Sequence, residues 1–132
     1  MTRNEEVVRN AMQAIWNECD TSRVNEFYSD DFEADYPHTN WGSGLDGICA
    51  LATQVHKDLP NYKEYIEELI DAGDKIVVTL SISGCHPSNG EKISFRDVTI
   101  LTLKNGKIIS QRGVGDLLSL YGKLGMIDFP SS

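Results

Sequence analysis

The residues of this chain that could do chemistry are scattered acids, bases and aromatics, not a compact motif. They are Asp97, Arg112 and Asp116, the histidines His38, His56 and His86, and the aromatics Tyr36 and Trp41. No phosphate-binding glycine loop, GxSxG elbow or HExxH pair accompanies them, so nucleotide, serine-triad and zinc-peptidase chemistries have no support. Such a set suits acid/base catalysis, which needs one carboxylate or imidazole in an apolar pocket, its pKa drawn towards neutral by desolvation. Each histidine also has a plain structural reading. His56 fits the C-terminal cap of a helix, His86 beside Pro87 fits a loop, and His38 fits a solvent-facing position.

The stretch Ile93–Asp116 positions most of these groups. Two runs of β-branched and apolar residues flank Asn105-Gly106, the strongest short signal for a two-residue type I′ hairpin. Pairing Lys104 with Lys107 and counting outward puts Phe95, Asp97, Thr99, Leu101 and Leu103 on one face. Ile108, Ser110, Arg112, Val114 and Asp116 join them there. On that count Arg112 lies diagonal to Asp97 within side-chain reach, either as a structural ion pair with Asp116 capping the next helix or in a pocket of ionisable groups that Phe95 and Val114 help to line. A bulge at Gly113 or Gly115 would change the aim of Asp116. The opposite face, with Val98, Ile100, Thr102 and Ile109, is also apolar. The sheet therefore calls for two covers, the chain's own helices and a second subunit.

The rest of the chain supplies those covers in order. Thr2 and Glu5 form a capping box ahead of a helix reaching Asn17, and Thr21 or Ser22 caps a short second helix ending at the acidic turn Ser29-Asp30-Asp31. Phe32–Tyr36 reads as a strand stopped by Pro37, and the following glycine-rich loop holds His38 and Trp41, the latter a lid over a cavity or a plug in the core. Ser43 opens a third helix to about His56 with Ile48, Leu51, Ala52, Val55 and Leu59 inward. Strands follow over Lys63–Asp71 and Lys75–His86, then the hairpin, then a last helix over Ser119–Leu124 stopped at Gly125. Helices first and a long antiparallel sheet afterwards make an α+β fold, with a curved sheet around N-terminal helices.

At 132 residues the chain is one domain with room for a single core and a modest cavity. A net charge of −8 with no Lys/Arg cluster argues against nucleic acid and anionic membranes as partners. No apolar stretch approaches a bilayer span, and a cytoplasmic location is expected. Cys19, Cys49 and Cys85 are odd in number and widely spaced, which fits neither a disulfide framework nor a zinc site.

The segments His56–Asn61, Ile70–Val78, Gly84-Cys85-His86, Asn105–Ile108, and Asp116 followed by Leu124-Gly125 resemble the SnoaL-like polyketide cyclases of the NTF2-like superfamily. The resemblance implies an α+β cone enclosing one pocket, homodimers or homotetramers packed through the sheet, and no cofactor or metal. It also implies intramolecular aldol cyclisation of a small hydrophobic substrate, with Asp116 as general acid/base. Two departures from the family pattern are Arg112, where an aromatic is common, and Asn61, where Asp is common. A limonene-type epoxide hydrolase would need an Asp-Arg-Asp set, here Asp97, Arg112 and Asp116. A ketosteroid isomerase would need an aspartate directly before the proline, a place held by Tyr36. The catalytic candidates are thus Asp116, Arg112, Asp97 and His56, with Tyr36, His38, Trp41, His86, Phe95 and Val114 lining the substrate site. A non-catalytic small-molecule-binding protein is the alternative of a different class.

Overall fold

The fold is described from a computed structural model covering residues 1–36, 42, 44–116, 120 and 122–125; His38 and Trp41 lie outside the described residues. Helix α1 spans Arg3–Ala11, its first turn capped by the Thr2 hydroxyl, which accepts the Glu5 amide at 3.2 Å. It runs on as a π-helical turn over Met12–Asn17 that buries Met12, Ala14, Ile15 and Trp16. Such wide turns are uncommon and often stand at functional sites. A 3₁₀ turn at Thr21–Arg23 leads into α2, Val24–Phe27, and α3 spans Gly44–Asp58.

The strands are β1 Tyr28–Asp35, β2 Lys63–Asp71, β3 Lys75–Cys85, β4 Lys92–Lys104 and β5 Lys107–Gly115, of which β2 to β5 follow the expected antiparallel hairpin order and β1 does not. They form one sheet in the order β1-β5-β4-β3-β2. The sheet is mixed, since β1 runs parallel to β5 while the other pairs are antiparallel. Strand β1 also starts at Tyr28, so Ser29-Asp30-Asp31 lies within a strand and not in a turn. The reason is anchorage. Tyr28 is 1% exposed, pairs with Ile108, and its hydroxyl accepts the Trp16 indole N–H at 2.9 Å, so the chain is already extended when the acidic triplet begins. An edge strand tolerates those charges on its open side.

At the hairpin tip Asn105 (φ 53°) and Gly106 (φ 76°) both adopt positive φ, as a type I′ turn demands. Beyond it the register departs from a plain count. Leu103 pairs with Ile108 but Thr102 pairs with Ser110, leaving Ile109 as a bulge. One extra residue reverses every later side chain, so Gln111, Gly113 and Gly115 share the concave face with Leu101, Thr99 and Asp97, and Arg112 faces away. Gly113 explains why. A Cβ there would lie 2.4 Å from the Val98 carbonyl oxygen and 3.0 Å from the Tyr36 ring, so no larger side chain fits the place that an unbulged strand would give Arg112.

The concave face packs Ile76, Val78, Leu80, Leu101 and Ile108 against Val8, Ile15, Ile48 and Ala52 of the helices, all at most 3% exposed. Each such Val, Leu or Ile side chain contributes about 1.5–3 kcal/mol by leaving water. The last helix is described at Leu120 and at residues 122–123, where the Leu120 amide donates to the Asp116 carbonyl at 3.2 Å. Among the described residues no helix is long and apolar enough to cross a membrane.

Candidate active site

Between helices and sheet lies a cavity of about 790 Å³, walled by Val8, Met12, Trp16, Leu51, Val55, Leu59, Leu80, Ile82, Phe95 and Leu101. Polar groups enter this apolar space at few points. On β4, Asp97 faces in, with Leu80 of β3 beside it. Its Oδ1 is buried and has no hydrogen-bond partner among the described residues. Burial raises the carboxyl to about 6, against a smaller opposing hydrogen bond from the Val98 backbone.

Tyr36, Thr99 and Gln111 form a second polar group on the same wall. The Tyr36 hydroxyl hydrogen-bonds Thr99 Oγ1 and accepts Gln111 Nε2 at 2.8 Å. Gln111 Oε1 is buried without a partner among the described residues. Burial pushes the Tyr36 hydroxyl well above the usual phenol range, so it stays protonated. Gly113 leaves the space in which Tyr36 and Thr99 meet.

The third polar group was not among the sequence candidates. Glu64 of β2 lies in one row with Ile82 and Phe95 and lines the cavity. Burial raises it to about 7, opposed by a hydrogen bond from Tyr62 Oη to its Oε1 at 2.8 Å and reinforced by the charge of Asp97. Counting back by two from the inward Ile66 reaches Glu64, which is the signal that finds it.

The remaining sequence candidates separate by face. Tyr36, Phe95 and His86 line the cavity, His86 with its Nδ1 accepting the Ser88 amide at 3.0 Å. Val114 borders both the cavity and a groove on the outer face, with its side chain 66% exposed. Arg112 lies in that outer groove with Asp35, Val98 and Ile100, so the expected Asp97–Arg112 pair inside the pocket does not form. Among the described residues Arg96 is also external, paired with Glu67 at 3.4 Å, and Lys57 is the only Lys or Arg lining the cavity. Asp116 is exposed and outside the cavity wall; its amide donates to the Arg96 carbonyl at 2.8 Å and its carbonyl serves the last helix. His56 does not line the cavity either. Its Nε2–H donates to the Trp16 carbonyl at 2.5 Å, tying α3 to the π-helical turn. Among the described residues no group of His, Cys, Asp and Glu side chains that could hold a metal converges.

A helical lid on a curved sheet around one apolar cavity has close counterparts. The family model of the SnoaL-like polyketide cyclases matches residues 6–124. The chain belongs to the SnoaL-like polyketide cyclase family. A Bacillus cereus structure described as a candidate polyketide cyclase is 28% identical, with a TM-score of 0.87 over 96% of this chain and 83% of that one. An Acidithiobacillus ferrooxidans protein of the same description is 17% identical, with a TM-score of 0.86 over 94% and 95% of the two chains. AclR of Streptomyces galilaeus, described as a candidate hydroxylase, is 19% identical, with a TM-score of 0.80 over 97% and 89%. At these identities the last two likenesses concern the fold alone, and their descriptions name different reactions on it. No curated protein matches the chain by sequence.

Proposed function

We propose that this member of the SnoaL-like family is a cofactor-independent acid/base enzyme that closes a ring in a small hydrophobic carbonyl compound by intramolecular aldol addition. The base is Asp97. Its carboxylate takes a proton from the carbon beside one carbonyl, and the resulting enolate attacks a second carbonyl carbon of the same molecule. A carbon–carbon bond forms, the C=O π pair moves to oxygen, and that oxygen is protonated, so no other reactant is consumed. The observation that carries this reading is the buried Oδ1 of Asp97 in an apolar wall, unpartnered among the described residues. Desolvation makes such a carboxylate a stronger base than one in water, and Tyr36, Thr99 and Gln111 beside it are fixed by their own hydrogen bonds.

The epoxide hydrolase alternative loses its arginine to the outer face, and the resemblance's candidate Asp116 is an exposed residue that does not line the cavity. A binding role alone would leave the ionisation of Asp97 without consequence for turnover. For the enzyme, kcat/KM on a diketone substrate falls tenfold per pH unit below about 6, where Asp97 protonates. A rate independent of pH between 4 and 7 refutes Asp97 as base.

The same reading extends to assembly. Tyr65 (70% exposed), Ile70 (50%), Val98 (47%) and Val114 form an apolar outer face, which a second copy covers in a homodimer or homotetramer. Ile100→Lys then yields monomers in sedimentation, and a monomeric parent protein at micromolar concentration contradicts the assembly.

A further inference from the structure

An aldol addition needs an acid as well as a base, because the acceptor oxygen must gain a proton as the bond forms. Asp97 supplies only one of these roles at a time. The same concave sheet offers the other, two strands away. Glu64 stands on edge strand β2 while Asp97 stands on β4, with Leu80 and Ile82 of β3 between them on the concave face. Two strand spacings across and two residues along separate their Cα atoms by roughly 12 Å on a flat sheet, and the side chains converge on the cavity between. A small substrate fits that gap.

The surroundings of Glu64 hold an acid, not an ion pair. Tyr62, 6% exposed, donates its hydroxyl to Oε1, so the proton of the acid form belongs on Oε2. Among the described residues no Lys or Arg forms an ion pair with it. The backbone of Glu64 is fixed by an unusual clamp. Asn17, the last residue of the π-helical turn, accepts the Glu64 amide at 2.6 Å and donates to its carbonyl at 3.0 Å, pairing with the open edge of β2 as a strand would. The wide turn thereby acquires a purpose: it ends the helix where a side-chain amide meets that edge, while His56 holds the freed Trp16 carbonyl.

Resting on the proposed aldol reading, we infer that Glu64 is the proton donor of the site, a carboxylic acid held by Tyr62 that protonates the acceptor carbonyl oxygen while Asp97 holds the carbon's proton. The donor's O–H bond breaks as the new O–H bond forms, leaving a Glu64 carboxylate and a protonated Asp97. Solvent exchange through the cavity mouth, at the exposed Lys57, Pro87 and Ser88, restores both. Asn17 acts as a positioning residue.

The test uses a ketone that cannot cyclise, 2-acetylnaphthalene labelled with ¹³C at its carbonyl, bound to the intact protein. In the parent protein the bound carbonyl resonance lies downfield at pH 5.5 and moves upfield as pH rises through about 7, where Glu64 loses its proton. Affinity falls about tenfold over the same range. Glu64→Gln, whose amide is a permanent donor of the same size, keeps binding but removes the step near 7 from both signals, leaving only the Asp97 step near 6. Every other titratable group that lines the cavity, namely Tyr28, Tyr36, Lys57, Asp58, Tyr62, His86 and Asp97, is unchanged in that variant. Asn17→Ala weakens the downfield shift without removing the titration. Asp97→Asn abolishes turnover yet preserves the Glu64-dependent shift, so failure of the base assignment and failure of this inference are read separately. The inference is overturned if the ketone fails to bind, or if Glu64→Gln titrates like the parent protein.

Discussion

The two faces of the β4–β5 hairpin are built from the same two strands, yet one gathers ionisable chemistry and the other only surface charge. The concave face carries Asp97, Thr99 and Gln111 in an apolar cavity, where desolvation moves a carboxyl to about 6. The convex face carries Arg96 and Arg112 beside the exposed apolar Val98 and Val114, with Arg96 paired to Glu67 at the surface. One bulged residue, Ile109, decides which side chain of β5 joins which set. Burial, not residue type, makes the difference: a surface ion pair is worth about 0–1 kcal/mol, whereas moving a carboxyl two units costs several times that.

The contrast breaks most violently at Gly113. Gly113→Val drives a side chain into the Val98 carbonyl and the Tyr36 ring, so it should destabilise the fold by about 2–4 kcal/mol in urea denaturation. Gly115→Ala, whose nearest contact is 3.7 Å, should cost far less. Equal losses would mean that Tyr36 does not pack there.

A smaller effect sharpens the electrostatic side of the comparison. Glu64 and Asp97 are both raised on folding, so the folded state binds their protons more tightly than the unfolded chain. Their stabilising contribution is therefore full below about pH 4 and is lost as pH rises through about 6 and then 7. Urea midpoints measured from pH 4 to 8 should decline accordingly. Glu64→Gln with Asp97→Asn should flatten that decline, and an unaltered slope would place both carboxyls in water.

The smallest expected effect belongs to the convex face. Arg112→Met should leave the NMR titration of Asp97 unmoved and turnover within about twofold, because the guanidinium faces the outer groove. A raised Asp97 pKa in that variant would restore the unbulged register.

Local signals made much of this architecture legible. The Asn-Gly turn, the Thr2 cap and the bounds of β2 follow from neighbouring residues alone. The apolar positions of α3 are likewise those that face inward, Ile48 and Ala52 to the core and Leu51 and Val55 to the cavity, with Leu59 just past the helix end also lining it. What stayed hidden depends on distant partners. The bulge at Ile109 answers to Tyr36, more than seventy residues away, and the parallel pairing of β1 answers to the Trp16–Tyr28 bond. Glu64 was masked by the composition of its strand, where Glu67 and Glu68 face water, Tyr65 is 70% exposed, and a second bulge interrupts the alternation. Asp97 was legible because its own strand, β4, contains no bulge against β3.

The base of the reaction is assigned to the cavity carboxylate Asp97, and not to Asp116 at the strand's end. Comparing Asp97→Asn with Asp116→Asn tests it directly, by the rate at which each exchanges deuterium from solvent into the carbon between the carbonyls of 1-phenylbutane-1,3-dione. Asp97→Asn should lower that rate by about 10²–10⁴-fold, with its melting temperature at pH 7 unchanged or raised. Asp116→Asn should stay within about threefold of the parent protein. The reverse order, with exchange surviving in Asp97→Asn and lost in Asp116→Asn, would contradict the account.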